Sequence, residues 1–225
     1  MRSVIFDFNG TLFQDSDRHM EAWRVFAGRY GKQVTEEELI RFFLGRANAF
    51  ILRRMFGERV SDAEIARMTL EKEGIYRDLC LAHPAECHLV AGAPEFLDEL
   101  KAEGVPFTIA TGSEVSNVDF YFRTFGLSRW FDRERIVLDD GTFPGKPEPD
   151  CFLRAAKLLG VAPCECVVFE DSCSGVTAAR AAGVAKIALI SEKAPERYEK
   201  SGTPIVSVTK DFTGMIRIWK ECLSE

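Results

Sequence analysis

Short apolar segments alternate along this chain with amphipathic segments of helical periodicity, and this alternation limits the fold more than any other feature. We predict strands at residues 2–6, 105–110, 135–138, 166–169 and 185–190. We predict helices of the same part of the chain at residues 93–103, 115–125, 150–160 and 174–182. Strands that alternate with helices predict an α/β fold, in which a Rossmann-like parallel sheet carries helices on both faces.

The segment between the first two predicted strands interrupts this rhythm. Residues 15–87 contain no convincing strand, and their pattern predicts helices at residues 16–30, 35–44, 47–56 and 61–82. A crossover of this length is too long for a simple strand–helix–strand unit. We therefore expect an α/β catalytic core of residues 1–14 and 88–225, with residues 15–87 as an inserted helical subdomain.

Charge and hydropathy exclude several classes of partner. The formal net charge of −6 argues against nucleic acid, because binding to a phosphate backbone needs a basic face. No apolar stretch is long enough to span a bilayer, and the N-terminus lacks the order of a signal peptide. The seven scattered cysteines favour free thiols over a metal site. We expect a cytoplasmic protein without a membrane partner, a monomer or, as the alternative, a dimer.

Polar residues lie where the predicted strands end. Asp7 follows the first strand, Thr111 ends the second, Glu170 and Asp171 end the fourth, and Lys146 lies in a loop before a helix. Each signal is weak alone, but ligands of open α/β sheets bind outside the carboxyl ends of the strands, so these residues can meet in one cleft. Paired carboxylates suit Mg²⁺, and lysine and threonine suit phosphate oxygens. Asp7 can attack phosphorus and form an acyl phosphate.

These residues resemble the motifs of the haloacid dehalogenase-like hydrolase superfamily, over essentially the whole chain. The similarity is greatest to the β-phosphoglucomutase-like and phosphoglycolate-phosphatase-like branch. Residues 7–11 match the motif D-x-D-x-T with one departure, Thr111 matches the second motif, and Lys146 before proline matches the third. Residues 170–175 match an acidic pair followed by S-x-x-G. The resemblance implies a core with a small α-helical cap, which residues 15–87 would form.

The resemblance also implies a role for each matched residue. Asp7 is the nucleophile and a magnesium ligand, and the backbone carbonyl of Asn9, Asp171 and Glu170 complete the metal site. Thr111 and Lys146 hold the phosphate. Further residues expected to contact substrate are Thr11, Gly112 and Ser113 in the core and His19, Arg46 and Lys72 in the cap. For His19 and Arg46, a packed ring and a solvated guanidinium are the alternatives. The aromatic residues near 120–125 are expected to pack in the core.

Asn9 is the one departure from the first motif. In typical phosphatases of the family, an aspartate at this position protonates the leaving oxygen and then activates water. Such help is worth roughly 10²–10⁴-fold, and an amide cannot exchange a proton at neutral pH. The metal role of Asn9 uses its backbone, so Asn9 should leave magnesium binding intact. His19 is a candidate for supplying the proton.

The expected function is a Mg²⁺-dependent phosphatase, a phosphoric monoester hydrolase that acts on a small phosphorylated metabolite through an aspartyl-phosphate. One alternative is a β-phosphoglucomutase-type phosphosugar mutase, which Asn9 disfavours because a mutase must move protons in both directions. Another is a catalytically weak protein that binds phosphorylated metabolites. A dehalogenase also lacks the second aspartate, but dehalogenases do not typically carry an acidic pair followed by S-x-x-G.

Overall fold

The fold is built on one parallel sheet. The structure, a computed structural model, describes residues 2–192, 198 and 203–224. Its strands are β1 (Ser3–Phe6), β2 (Phe107–Glu114), β3 (Val137–Asp139), β4 (Cys166–Glu170), β5 (Lys186–Ile190) and β6 (Ile205–Thr209). They pair in parallel in the order β3-β2-β1-β4-β5-β6. The predicted α/β class with a parallel sheet is therefore confirmed.

Helices connect and flank these strands. They are α1 (Ser16–Arg29), α2 (Glu36–Glu38), α3 (Asn48–Phe56), α4 (Asp62–Ala82), α5 (Ala93–Ala102), α6 (Val115–Phe125), α7 (Asp150–Leu159), α8 (Cys173–Ala182) and α9 (Met215–Ile218). Among the described residues, no helix is both long and apolar enough to cross a membrane. All seven cysteines carry free thiols.

The chain divides into two compact units. One comprises Met1–Gln14 and His88–Glu225 and contains the sheet, and we call it the core unit. The other, Asp15–Cys87, contains α1 to α4, and we call it the insert unit.

The sheet of the core unit is covered on both faces, which is why β1 reads as an unbroken apolar run. All four residues of β1 are buried. On one face, the Phe6 ring packs against the rings of Phe96, Phe169 and Phe212. On the other, Ile5 belongs to a buried cluster with residues of α7 and α8, among them Phe152. Asp7, the residue after β1, therefore follows a strand that is packed on both faces.

Local sequence sets the helix starts of the insert unit. Ser61 and Glu64 form a capping box at the start of α4, and Thr35 and Glu38 form another at α2. One long helix was expected over residues 35–44, but α2 is short and is followed by a π-helical segment, Leu39–Phe43. The change to wider hydrogen bonding after the capped turn is a local feature that apolar periodicity does not encode.

The core unit departs from expectation at two places. β2 runs on to Glu114, so Thr111 lies inside the strand rather than at its end. The extension pairs with β3 through a shift in register, beyond the point where β1 stops pairing. β6 and α9 were not predicted at all. All five residues of β6 are only half-buried, so its sequence lacks the strong apolar signal of a central strand.

Candidate active site

Asp7 is held in place by the strands β1 and β4. It follows β1 directly, is 5% exposed, and its backbone N–H donates to the carbonyl of Phe169 in β4 at 2.9 Å. The chain then turns at Gly10, whose φ is 81°. A Cβ at Gly10 would overlap the Asp171 carboxylate, so only glycine lets the Asp7 loop approach Asp171 this closely. Asp7 and Asp171 thus lie at adjacent strand ends.

Lys146 lies between two carboxylates. Its Nζ is 2.6 Å from Oδ1 of Asp7 and 2.6 Å from Oε1 of Glu170, and all three side chains are buried. These bonds span 139 and 24 positions of the sequence. Charge-assisted hydrogen bonds of this kind are about twice as strong as neutral ones. Lys146 therefore holds β1 and β4 together at the point where both strands end.

Glu170 is the last residue of β4 and is fully buried. Its Oε2 accepts hydrogen bonds from the backbone N–H groups of Asp171 and Ser172, both at 2.7 Å, and from the Ser172 hydroxyl at 3.1 Å. A Cβ at Gly175, in the first turn of α8, would overlap the Glu170 carboxylate. The loop after β4 is thus folded around this one side chain.

The three carboxylates offer a site that fits a magnesium ion. Oxygens of Asp7, Glu170 and Asp171 all lie within 4.8 Å of one another, and oxygen ligands are what Mg²⁺ prefers. Burial is the largest effect on Asp7 and, with the negative charge of Glu170, raises its pKa to about 7, although Lys146 acts in the opposite sense. One lysine does not balance three carboxylates. A divalent cation would supply the missing positive charge.

Asn9 lies among hydroxyl groups of the core unit. Its Oδ1 accepts from Ser113 Oγ at 2.6 Å and from Thr111 Oγ1 at 3.3 Å, and its Nδ2 donates to the Tyr121 hydroxyl at 2.8 Å. The Ser113 N–H in turn donates to Thr111 Oγ1 at 3.1 Å. Tyr121 was expected only to pack in the core, and its contact with Asn9 was not predicted. The one signal for it is a hydroxyl among the aromatic residues of α6.

The remaining predicted residues of the core unit differ in exposure. Gly112 is exposed in β2, next to the buried Thr111 and Ser113, so its backbone is accessible to a ligand. Thr11 is fully buried, and its hydroxyl has no hydrogen-bond partner among the residues that the structure describes. The expected substrate contact of Thr11 stays a prediction.

Within the insert unit, His19 and Lys72 bind each other. Nζ of Lys72 is 2.7 Å from Nδ1 of His19. An ammonium group can only donate, so Nδ1 is the acceptor in this contact, and Nε2 lies 3.4 Å from Oδ2 of Asp15. Lys72 is 1% exposed and also pairs with Glu73 at 2.9 Å. The Lys72 ammonium group thus has its partners within the insert unit and is not solvated.

Arg46 lies apart from this pair. It follows the turn at Gly45, where φ is 70°, and its guanidinium lies over the Phe50 ring, 5.0 Å from the centroid. Phe50 is 44% exposed, so the stacked pair lies at the surface. The structure therefore brings the predicted residues together in two groups, one in each unit, with Arg46 separate from the His19–Lys72 pair.

Comparisons with known proteins give the family. A family model described as haloacid dehalogenase-like hydrolase matches residues 1–183. Fructose-1-phosphate phosphatase YqaB of Escherichia coli is 32% identical, over 80% of this chain and 92% of that protein. A phosphorylated carbohydrates phosphatase of Thermotoga maritima is 32% identical, over 83% of this chain and 84% of that protein.

The solved structures agree with the sequence comparisons. A crystal structure of a haloacid dehalogenase-like hydrolase, family IA, variant 3, from Entamoeba histolytica superposes with a TM-score of 0.83. It is 34% identical and covers 95% of both chains. The resemblance that the motifs indicated is confirmed. The protein is an enzyme, a phosphoric monoester hydrolase, and it belongs to the haloacid dehalogenase-like hydrolase family.

Proposed function

We propose that the protein is a Mg²⁺-dependent phosphatase of small phosphorylated sugars and that it acts through an aspartyl-phosphate on Asp7. The observation that carries this proposal is the buried contact of Lys146 with Asp7 and Glu170, beside Asp171, where β1 and β4 end. The named activities of the relatives from Escherichia coli and Thermotoga maritima support phosphorylated sugars as the substrate class.

The proposed reaction has two steps. In the first, an oxygen of Asp7 bonds to phosphorus while the bond from phosphorus to the sugar oxygen breaks, and solvent water protonates that oxygen so that the sugar leaves as an alcohol. In the second, water attacks phosphorus and gives up its proton to solvent, the bond from phosphorus to Asp7 breaks, phosphate leaves, and the Asp7 carboxylate is restored. Lys146, already bonded to Asp7, offsets the charge of the incoming phosphate. We propose that Thr111 exchanges its 3.3 Å hydrogen bond to Asn9 for one to a phosphate oxygen.

Magnesium, held by Asp7, Asp171 and Glu170 with the backbone carbonyl of Asn9, would reduce the repulsion between the Asp7 carboxylate and the phosphate. The chain's own lysine cannot do this alone, because it already serves two carboxylates. In the insert unit, we propose Arg46 for contact with the substrate. His19 and Lys72 are less suited to direct contact, because each is bound to the other.

Asn9 limits the choice of substrate. Its amide can donate a hydrogen bond to the departing oxygen but cannot protonate it at neutral pH. We therefore propose that the preferred sugar phosphates are those with a weakly basic leaving oxygen. Their rate of cleavage falls least when no strong acid is present. Turnover is expected to be slower than in phosphatases with an aspartate at this position.

The test is phosphate release from a panel of sugar phosphates, measured with Mg²⁺ and with EDTA. We expect release that requires Mg²⁺ and falls by at least about 10³-fold in Asp7→Asn, because the nucleophile is lost. Asp78→Asn, an exposed carboxylate of α4, is the matched control and should leave the rate unchanged. Activity that persists in EDTA or in Asp7→Asn would contradict the mechanism. Ligand-induced thermal stabilisation without turnover would instead support a binding protein.

A further inference from the structure

We propose that Tyr121 is a positioning residue for Asn9, which it holds in a closed ring of hydrogen bonds completed by Ser113. The inference rests on the proposed phosphatase function, in which the Asn9 amide donates to the departing oxygen. Tyr121 matches none of the sequence motifs, and it lies 112 positions from Asn9 in the chain.

Three contacts form the ring. Asn9 Nδ2 donates to the Tyr121 hydroxyl at 2.8 Å, and Ser113 Oγ donates to Asn9 Oδ1 at 2.6 Å. The third contact joins the two hydroxyls at 3.2 Å. Either hydroxyl can be the donor in this third contact. The three side chains are therefore linked in pairs to form a ring, which we call the Asn9 ring.

Tyr121 is held rigidly enough to act in this way. It is 1% exposed, and its ring stacks on that of Phe8 with a centroid distance of 4.4 Å and an interplanar angle of 21°. Phe8 lies between Asp7 and Asn9 in the chain, so the stack joins α6 to the nucleophile loop itself. The helix is fixed at its start, because the Glu114 side chain accepts from the N–H groups of Ser116 and Asn117.

An amide needs this orientation more than a carboxylate does. The two oxygens of a carboxylate are equivalent, whereas the two ends of an amide are an acceptor and a donor. The Asn9 ring sets Oδ1 toward the hydroxyls of Ser113 and Thr111 and Nδ2 toward Tyr121. Tyr121 thus binds the donor end of the Asn9 amide, while Ser113 and Thr111 bind its acceptor end.

The first test is kinetic. Tyr121→Phe keeps the stacked ring and removes the hydroxyl, and the loss of one hydrogen bond corresponds to a decrease in kcat of about three- to tenfold, with KM changed less than about twofold. Tyr30→Phe is the matched control, since its hydroxyl donates to Glu71 within the insert unit at 2.8 Å. It should leave kcat unchanged. A merely structural role of Tyr121 would lower the melting temperature and leave kcat of the folded enzyme intact.

The second test asks whether Tyr121 acts through Asn9. In an Asn9→Ala background, adding Tyr121→Phe should cost no further activity. An equal loss in both backgrounds would overturn the proposal. Independently of turnover, the Asn9 side-chain amide resonance, assigned with Asn9→Ala, should shift in Tyr121→Phe and stay in place in Tyr30→Phe. If no sugar phosphate is hydrolysed, the proposed function fails while this resonance still tests the positioning, and an unmoved resonance refutes it.

Discussion

Gly175 illustrates how single residues shape the site. It lies in the first turn of α8, where the Glu170 carboxylate folds back over the helix start, and a Cβ there would overlap that carboxylate. We expect Gly175→Ala to lower the free energy of unfolding by about 1–3 kcal/mol, as overpacking does, and to displace Glu170 from Lys146. Chemical denaturation measures the first effect, and the loss of Mg²⁺-induced thermal stabilisation measures the second.

Gly74, in the insert unit, provides the matched control. It lies within α4, and a Cβ there would meet nothing within 4 Å. Gly74→Ala should therefore stabilise the protein by about 0.5–1 kcal/mol, because glycine in a helix costs that much relative to alanine. If both substitutions stabilised the protein alike, Glu170 could not occupy the position described for it.

Sequence predicted some residues of the site and missed others for a physical reason. Asp7, Lys146 and Glu170 could be found because parallel strands bring their carboxyl ends together and because each residue stands in a short motif. Tyr121 could not, since its contact with Asn9 depends on how α6 packs against the loop after β1. The contact of Lys72 with His19, which lie 53 positions apart in the chain, likewise depends on helix packing.

At the scale of elements, a buried ion pair joins three helices of the insert unit. Lys72 and Glu73, adjacent on α4, pair at 2.9 Å with side chains 1% and 3% exposed. His19 of α1 contacts Lys72, and Asn48 of α3 donates to Glu73 at 2.8 Å. A buried charge costs several kcal/mol unless it is paired, so the packing of α1, α3 and α4 depends on both charges being present.

The pH dependence of this pair has a definite sign. Burial is the largest effect and raises the pKa of Glu73, but Lys72, His19 and Asn48 together outweigh it and lower the pKa from 4.5 to about 2. Since the folded-state pKa lies below the unfolded one, the stabilisation is fully present above pH 4.5. It is lost as pH falls from 4.5 toward 2.

Glu73→Gln tests the pair. The substitution leaves Lys72 buried without its counter-charge, and we expect a loss of about 3–5 kcal/mol in the free energy of unfolding at pH 7. Urea denaturation at pH 7 and pH 3 should show a smaller loss at pH 3, where the wild-type pair is weakened. Glu71→Gln removes a more exposed carboxylate of the same helix and should cost no more than about 1 kcal/mol. A loss for Glu73→Gln that is equal at both pH values would refute the assignment.

Element boundaries show what local sequence encodes. The helices α1, α3, α4 and α6 begin and end within two residues of their predicted positions, because caps, glycines and apolar periodicity act over one or two turns. β6 was missed because an edge strand gains its hydrogen bonds from β5 and buries little of its own surface. Apolar periodicity along the chain carries no information about pairing with a strand that is distant in sequence.

At the scale of the whole chain, the core unit contains strands and a helix beyond the family match. The family model ends at residue 183, yet β5, β6 and α9 follow it. Phe212 shows how this segment is joined to the rest. Its N–H donates to the Ala91 carbonyl at 2.9 Å, and a Cβ at Gly92 would overlap its backbone. The C-terminal segment therefore belongs to the same core that carries Asp7.

Phe212→Ala measures how much the active-site scaffold depends on this segment. The ring is 1% exposed and packs with Phe6, Phe96 and Phe169, so we expect a loss of about 3–5 kcal/mol in the free energy of unfolding. Phe50→Ala, at an exposed phenylalanine of the insert unit, is the control and should cost well under half as much. Because Phe6 directly precedes Asp7, the phosphatase activity should fail at the same lowered temperature at which the circular dichroism signal melts. Activity lost well below that temperature would mean that the C-terminal segment supports the site locally, rather than through the stability of the core.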